Sequence, residues 1–335
     1  MSILITADLH WTDNVRDAYR HGIVKRLCNL IRKHHVEMLL ILGDLTEAKE
    51  GHSAELVNEI TDHVHELSLL CDVIILQGNH DYKGNPDHPF FAFLSHIPHV
   101  RWIRVPTLGV HLHDLTEGVQ PVLEKAIFLP HTSNYGRDWK DLDLNQDWIF
   151  AHNTFAGADG GNGRKLSGIP TSVFPKRARV IAGDVHIPQE RYVGSPYTVD
   201  FGDDFEPRVL MIQGKKVTSI PIGGPQKRLV EVYSPTELLK QKGLNEGDIL
   251  KVKMHIASGE YDRWPEYQDK IRKWGEARGF IVHMTQPIIA GKGQPSRKKT
   301  NVTTKSDEEL LKAYAKSRRV DERTLQTGLT LLRKS

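Results

Sequence analysis

The sequence predicts a layered α/β protein, and three observations carry that prediction. Continuous apolar runs, "SILIT", "MLLIL" and "DVIIL", recur between residues 2 and 76. Between them lie stretches whose apolar residues fall three and four positions apart, the spacing of amphipathic helices. Run after run then ends in Asp, Asn or His. Apolar strands alternating with helices imply a parallel sheet covered on both faces, with ligands beyond the carboxyl ends of the strands.

The elements follow in order. "SILITADLH" opens as a strand, and Val15, Tyr19, Ile23, Leu27 and Leu30 predict the first helix. "EMLLILGDL" is the second strand, and Leu56, Ile60, Val64 and Leu67 mark the second helix. "DVIILQGNHD" is the third strand, completing β-α-β-α-β. "KAIFLPH", "DWIFAHNTF" and "ARVIAGDVH" read as further strands, and "VLMIQGKKVTSIPI" as a hairpin around Gly214. "GADGGNGRKLSGIP" is a glycine-rich loop. Past a boundary near "GGPQKR", "DILKVKMHI", "YQDKIRKWGEAR" and "GFIVHMTQ" suggest a small α+β unit. The division expected is 1–224, 225–290, a linker at 291–305 and a helical tail at 306–335.

Composition bounds the function. Apolar residues make up 39% and charged residues 26%, ordinary globular values. No run is long enough to span a bilayer, and "MSILITADLHW" reads as a strand rather than a leader. Cys28 and Cys71 form no C-x-x-C, so neither a disulfide framework nor a thiolate zinc site is expected. A cytoplasmic location without membrane partners follows as the expectation. The net charge of +3 says little, but from Lys292 onward twelve Lys or Arg stand against five Asp or Glu.

The chemistry lies at five strand ends: Asp8 and His10 in "ADLH", Asp44 in "GDL", Asn79 and His80 in "GNHD", His152 in "AHN", Asp184 and His186 in "GDVH". On an extended strand, the side chains of D-x-H point the same way and can grip one ion. Mixed oxygen and nitrogen donors suit manganese, iron or zinc better than calcium. So many donors exceed the need of one ion, whereas a two-metal site bridged by a shared carboxylate uses them all, with Asp44 the natural bridge. Singly, each group has an ordinary structural explanation as a cap, a turn or a core histidine. It is their recurrence in this order that points to a metal centre.

The order D-x-H, G-D, G-N-H-D, H, G-x-x-H resembles the calcineurin-like metallophosphoesterases over residues 1 to about 200. "YVGSPYTVDFGD" is similar to a segment of SbcD-type nuclease subunits, which work with SbcC-type ATPases on broken DNA. The resemblance implies a β-sheet sandwich flanked by helices, with a small α+β cap and C-terminal helices. It implies two divalent ions, foremost manganese, with magnesium, iron or zinc as alternatives. One would rest on Asp8, His10, Asp44 and His186, the other on Asp44, Asn79, His152 and position 184. The chain departs from the family pattern there, because Asp184 stands where the motif G-H-x-H has its first His. Asp184 either binds the second ion or points away.

His80 would be the catalytic histidine that binds no ion. Asp81 either orients His80 or fixes the turn, and Glu47 either orients water or DNA or is a solvated carboxylate. The activity implied is phosphodiester hydrolysis by a DNA exo- and endonuclease subunit, with DNA and an SbcC-like ABC-type ATPase as partners and a homodimer common in that family. A stand-alone phosphodiesterase for small substrates and a metal-free scaffold remain the alternatives. Arg137, Lys140, Arg164 and Lys165 are candidate DNA contacts, besides the tail. In the tail, Leu310, Leu311 and Tyr314 form one apolar stripe and Leu325, Leu329 and Leu332 another, as a partner-docking element would require.

Overall fold

The structure is a computed structural model that describes residues 2–109, 125–161, 163–290 and 325–326. The first sheet has the spatial order β10-β9-β1-β2-β3-β4. Its central strands β1 (Ser2–Thr6), β2 (Met38–Leu42), β3 (Asp72–Leu76) and β4 (Val100–Ile103) run parallel, in a register that pairs Ile5 with Leu40 and Leu40 with Ile74. The second sheet contains β5 (Thr107–Leu108), β6 (Ala126–Leu129), β7 (Trp148–His152) and β8 (Arg179–Gly183) in that order, with the last three parallel. β9 (Arg208–Gln213) and β10 (Lys216–Pro221) form the expected hairpin, with Gly214 in the left-handed conformation its turn needs.

Strand alternation divides the apolar residues between two cores. Leu4, Leu39, Ile41, Val73 and Ile75 face helices α1 (Ile23–His34) and α2 (Ala54–Ser68), whose Leu27, Ile31, Leu56, Ile60, Val64 and Leu67 are buried. Ile3, Ile5, Met38, Leu40, Leu42 and Ile74 face the second sheet through Phe128, Phe150 and Ile181. The strands are thus buried on both faces, as their unbroken apolar character requires, and the second cover is a sheet, which gives the sandwich that the resemblance implies. Sequence period cannot distinguish the two covers, since each presents only an apolar surface.

The first helix also differs from its periodic reading. Residues Val15–Gly22 wind as a 3-10 stretch, Val15 is 86% exposed, and Arg20 turns inward to 3% exposure. Regular α-helix begins only at Ile23. The short helices α3 (Tyr135–Asp138) and α4 (Pro235–Leu238) each make about one turn.

β11 (Lys227–Val232), β12 (Ile249–Ala257) and β13 (Ile281–Ala290) make a third sheet, against which α5 (Trp264–Glu276) packs through Trp264, Tyr267, Ile271 and Trp274. Gln226 ties this region back, accepting from the Thr198 backbone at 2.7 Å. Among the described residues no helix is long and apolar enough to cross a membrane. The linker and tail expected at 291–335 lie outside the described residues, apart from helical Leu325 and Gln326.

Candidate metal centre

The site grows from the carboxyl ends of β1, β2, β3, β7 and β8. Past Thr6 the chain does not stay extended, because Asp8, His10 and Asp44 adopt φ of 54°, 43° and 53°, and Asp184 adopts 82°. Such left-handed turns cost a non-glycine residue of order 1–3 kcal/mol and persist where surrounding structure enforces them. Here the loops after β1 and β2 enforce them by pairing: Asp8 N donates to the Gly43 oxygen at 3.1 Å, His10 N to Asp44 at 3.0 Å and Trp11 N to Leu45 at 2.9 Å. Asp8 and His10 therefore converge by two left-handed turns and not by the pleat of a strand.

The side chains gather around Asp44. His10 Nε2 lies 3.8 Å from Asp44 Oδ2 and 3.0 Å from His186 Nε2. On the other side, His152 Nε2 lies 3.3 Å from Asp44 Oδ1 and 3.8 Å from Asp184 Oδ1, and it accepts at 3.0 Å from the Asn79 amide nitrogen, the orientation in which that amide also donates to Asp44. His152 Nδ1 donates to the Leu42 carbonyl at 2.7 Å, which leaves Nε2 as the atom offered to the site. Room for this ring is made by Gly43 and Gly183, where a Cβ would fall 2.1 Å and 2.8 Å from His152 Nδ1. Asp184 is oriented by Thr154, whose hydroxyl donates to Oδ2, and its own N–H donates to Asp8 Oδ1 at 2.9 Å.

These residues fit divalent cations by their own chemistry. Asp8, His10 and His186 form one set with mutually close donor atoms, and Asp8, Asp44 and His152 form a second. Asp8 Oδ2 is buried without a hydrogen-bond partner among the described residues. Burial, opposed by His152 and reinforced by Asp44 and Asp184, lifts the Asp8 carboxyl to about 8. Burial alone would depress His152, but Asp44, Asp184 and Asp8 hold it well above the ordinary imidazole value. Buried carboxylates in this number demand positive charge, and cations supply it better than shared protons.

A family profile described as calcineurin-like phosphoesterase matches residues 1–188, which include every strand end named above. The chain belongs to that family. Protein 244L of Invertebrate iridescent virus 6, which carries a phosphoesterase name, is 24% identical over 225 residues, covering 63% of this chain and 75% of its own. Two solved structures are also similar. Pseudomonas putida nuclease MPE has 19% identity and a TM-score of 0.28, covering 49% of this chain and 67% of its own. The Escherichia coli phosphoesterase YfcE has 13% identity and a TM-score of 0.30, covering 67% and 100%. Overlaps this loose say nothing about substrate.

For a calcineurin-like phosphoesterase the neighbours of the ligand set matter as much as the set itself. His80 N donates to Asp44 Oδ1 at 2.8 Å, and its ring Nδ1 contacts the Glu47 carbonyl at 2.6 Å. The ring is therefore oriented by a backbone oxygen and not by Asp81. The Asp81 carboxylate instead accepts from three backbone N–H groups, those of Asp44 at 3.1 Å, Leu45 at 2.9 Å and Gly78 at 2.6 Å. It fixes the turn. Burial, with Asp44 nearby, raises its carboxyl to about 6.

Glu47 is 46% exposed, as a solvated carboxylate should be, and it also lies 2.6 Å from Arg20 Nη1, which donates to the His10 carbonyl at 2.7 Å. The segment "GSP" braces the same loops: Ser195 N donates to the His186 oxygen at 2.9 Å and Ser195 Oγ to the Asp8 oxygen at 3.2 Å.

Of the candidate DNA contacts, Arg137 pairs with Asp138 at 2.6 Å and Lys165 approaches Asp159 at 3.8 Å. Lys140 and Arg164 are exposed. His131 escaped the sequence reading, yet "AIFLPH" obeys the same rule of an apolar run ending in a donor. Its ring lies 6.3 Å from that of His152 and its Nδ1 is 2.9 Å from Tyr82 Oη. Burial and His152 push it down to about 4, so it is neutral near pH 7.

Proposed function

We propose that this phosphoesterase hydrolyses phosphodiesters of DNA with two divalent ions, manganese foremost, as the nuclease subunit of an SbcCD-like complex. The observation that carries the hydrolytic part is the double donor set around Asp44 with His80 beside it. Asp8, His10, Asp44 and His186 would hold one ion, and Asp44, Asn79, His152 and Asp184 the other. Ions held there supply Lewis acidity to the phosphate and acidify the attacking water.

The chain's own residues do the rest. The Glu47 carbonyl accepts a hydrogen bond from His80 Nδ1–H, and this leaves Nε2 free to face a phosphate or a leaving oxygen. Its position over Asp44 is set by its own backbone N–H. The three bonds to Asp81 hold the turns that carry Asp44 and Asn79 at a fixed separation. Arg20 holds the Glu47 loop against His10 from beneath.

What favours DNA over a small ester is the similarity of "YVGSPYTVDFGD" to SbcD-type subunits, together with the α+β region after residue 225 and the basic tail. The tail, with its two apolar stripes, would dock an SbcC-like ATPase. The test offers the manganese-loaded chain linear duplex DNA, single-stranded DNA and bis(p-nitrophenyl) phosphate. Metal-dependent cleavage of DNA is expected. Turnover of the small ester with both DNAs intact overturns the nuclease reading and leaves a stand-alone phosphodiesterase. Removing residues 300–335 should preserve basal cleavage and abolish association with the ATPase, and continued co-purification overturns the docking role.

A further inference from the structure

A second group of ligand-type side chains gathers outside this centre, where α2 passes the 3-10 stretch ahead of α1. Glu59 and His63 stand at i and i+4 on α2 and so project from one face. His21, near the end of Val15–Gly22, closes the group. His21 Nδ1 lies 3.2 Å from His63 Nε2 and 3.2 Å from Glu59 Oε1, and His63 Nε2 lies 3.6 Å from the same oxygen.

Hydrogen bonding settles which atoms face inward. His21 Nε2 is 2.9 Å from the Thr12 carbonyl oxygen, which can only accept, so Nε2 carries the proton and Nδ1 offers its lone pair. His63 turns its Nε2 to His21 Nδ1 and Glu59 Oε1, and burial, with His21 beside it, holds this imidazole below its ordinary value, which favours the neutral ring that a metal ligand requires. Glu59, Glu66 and Asp62 surround His63 with negative potential. Three ligand-type atoms thus converge in a setting that attracts a cation.

The spacing suits a particular kind of cation. A tetrahedral ion with ligand bonds of about 2.0–2.1 Å sets its donor atoms roughly 3.3–3.4 Å apart. The three separations here fall on either side of that edge. Two imidazoles and one carboxylate, with a fourth position left to solvent, are a recurrent zinc set. Calcium and magnesium prefer all-oxygen surroundings and are disfavoured.

We propose that His21, Glu59 and His63 bind a zinc-class divalent ion at a site separate from the hydrolytic centre. The ion ties the segment before α1 to α2. Its effect reaches the centre through two neighbours: Trp11, whose ring lies 5.2 Å from His63 and stacks on His21, follows His10, and Arg20, next to His21, holds the His10 carbonyl. The site is structural, since none of its three side chains faces the Asp44 cluster.

The test equilibrates the full chain with zinc, removes the excess and counts bound metal in wild type, His63→Gln and Glu59→Gln. Each variant should hold one equivalent less than wild type, and the zinc-induced rise in melting temperature should shrink. Cobalt(II) loading should show the loss as reduced tetrahedral d–d absorption. Glu59 is 46% exposed, so its conversion to Gln leaves the core intact and decides the matter even if His63→Gln fails to fold. Equal metal content in wild type and Glu59→Gln overturns the proposal, because the three groups then share only a proton.

Discussion

His80 presents its Nδ1 to the carbonyl oxygen of Glu47 at 2.6 Å while its backbone N–H holds Asp44 Oδ1 at 2.8 Å. The residue is fixed at both ends by groups that leave Nε2 uncommitted, as a group that meets the substrate through that nitrogen requires.

Replacing His80 with Gln should therefore spare metal content and remove hydrolysis, by about 10²–10⁴-fold in turnover, the usual contribution of one acid–base group. Elemental analysis and steady-state rates on one preparation decide it. Metal loss in parallel with activity would place His80 among the ligands, consistent with its nearness to His10 and Asp44.

Asp81 makes a contrasting prediction, of stability. Asp81→Ala leaves the N–H groups of Asp44, Leu45 and Gly78 unpaired in a buried turn, at about 1–3 kcal/mol for each group not rescued by water. Denaturant unfolding should show a loss of about 3 kcal/mol or more, even with metal removed. A variant of wild-type stability but low turnover would return Asp81 to a direct role in the chemistry.

That these residues gather at one place was legible because apolar runs ending in Asp, Asn or His are a local pattern, and a parallel arrangement brings such ends together. The way these residues converge was not. Asp8 and His10 meet through left-handed turns enforced by pairing with residues 43–45, a long-range cause with no local signature. Arg20 reads as one more polar position of an amphipathic helix, yet it is buried beneath His10 and Glu47. Asp81 beside His80 invites a dyad, whereas the turn aims its carboxylate back at the backbone. The second sheet as cover for the first came from the resemblance, which implies a β-sheet sandwich, and not from the strands' own pattern, since β-branched and aromatic residues serve either kind of neighbour.

Asp184 should behave as a ligand whose aim depends on Thr154. Thr154→Val removes the donor to Asp184 Oδ2 and should weaken the second ion about tenfold, within the range for lost outer partners of a ligand. Asp184→Ala should weaken it further, and Asp184→His should keep binding while shifting preference toward zinc. Competitive titration with manganese and zinc measures all three. Equal affinities throughout would show that Asp184 faces elsewhere.

Gly78 offers a test of the centre that replaces no ligand. A Cβ there would lie 2.2 Å from Asp44 Oδ1, 2.4 Å from Asp44 N and 2.9 Å from His152 Nε2. Asp44 N is backbone held by Asp81, so the turn at residue 78 has to shift as well as the Asp44 carboxylate, which the proposed function assigns to both ions. Gly78→Ala should then lower affinity for both ions together by at least tenfold, since the proposed assignment gives Asp44 to each ion, and hydrolysis should fall with it. Circular dichroism should stay that of the wild type, because β3 ends at Leu76, ahead of the substitution. Loss of one ion alone would show that Asp44 serves a single metal, and the bridging role would be lost with it.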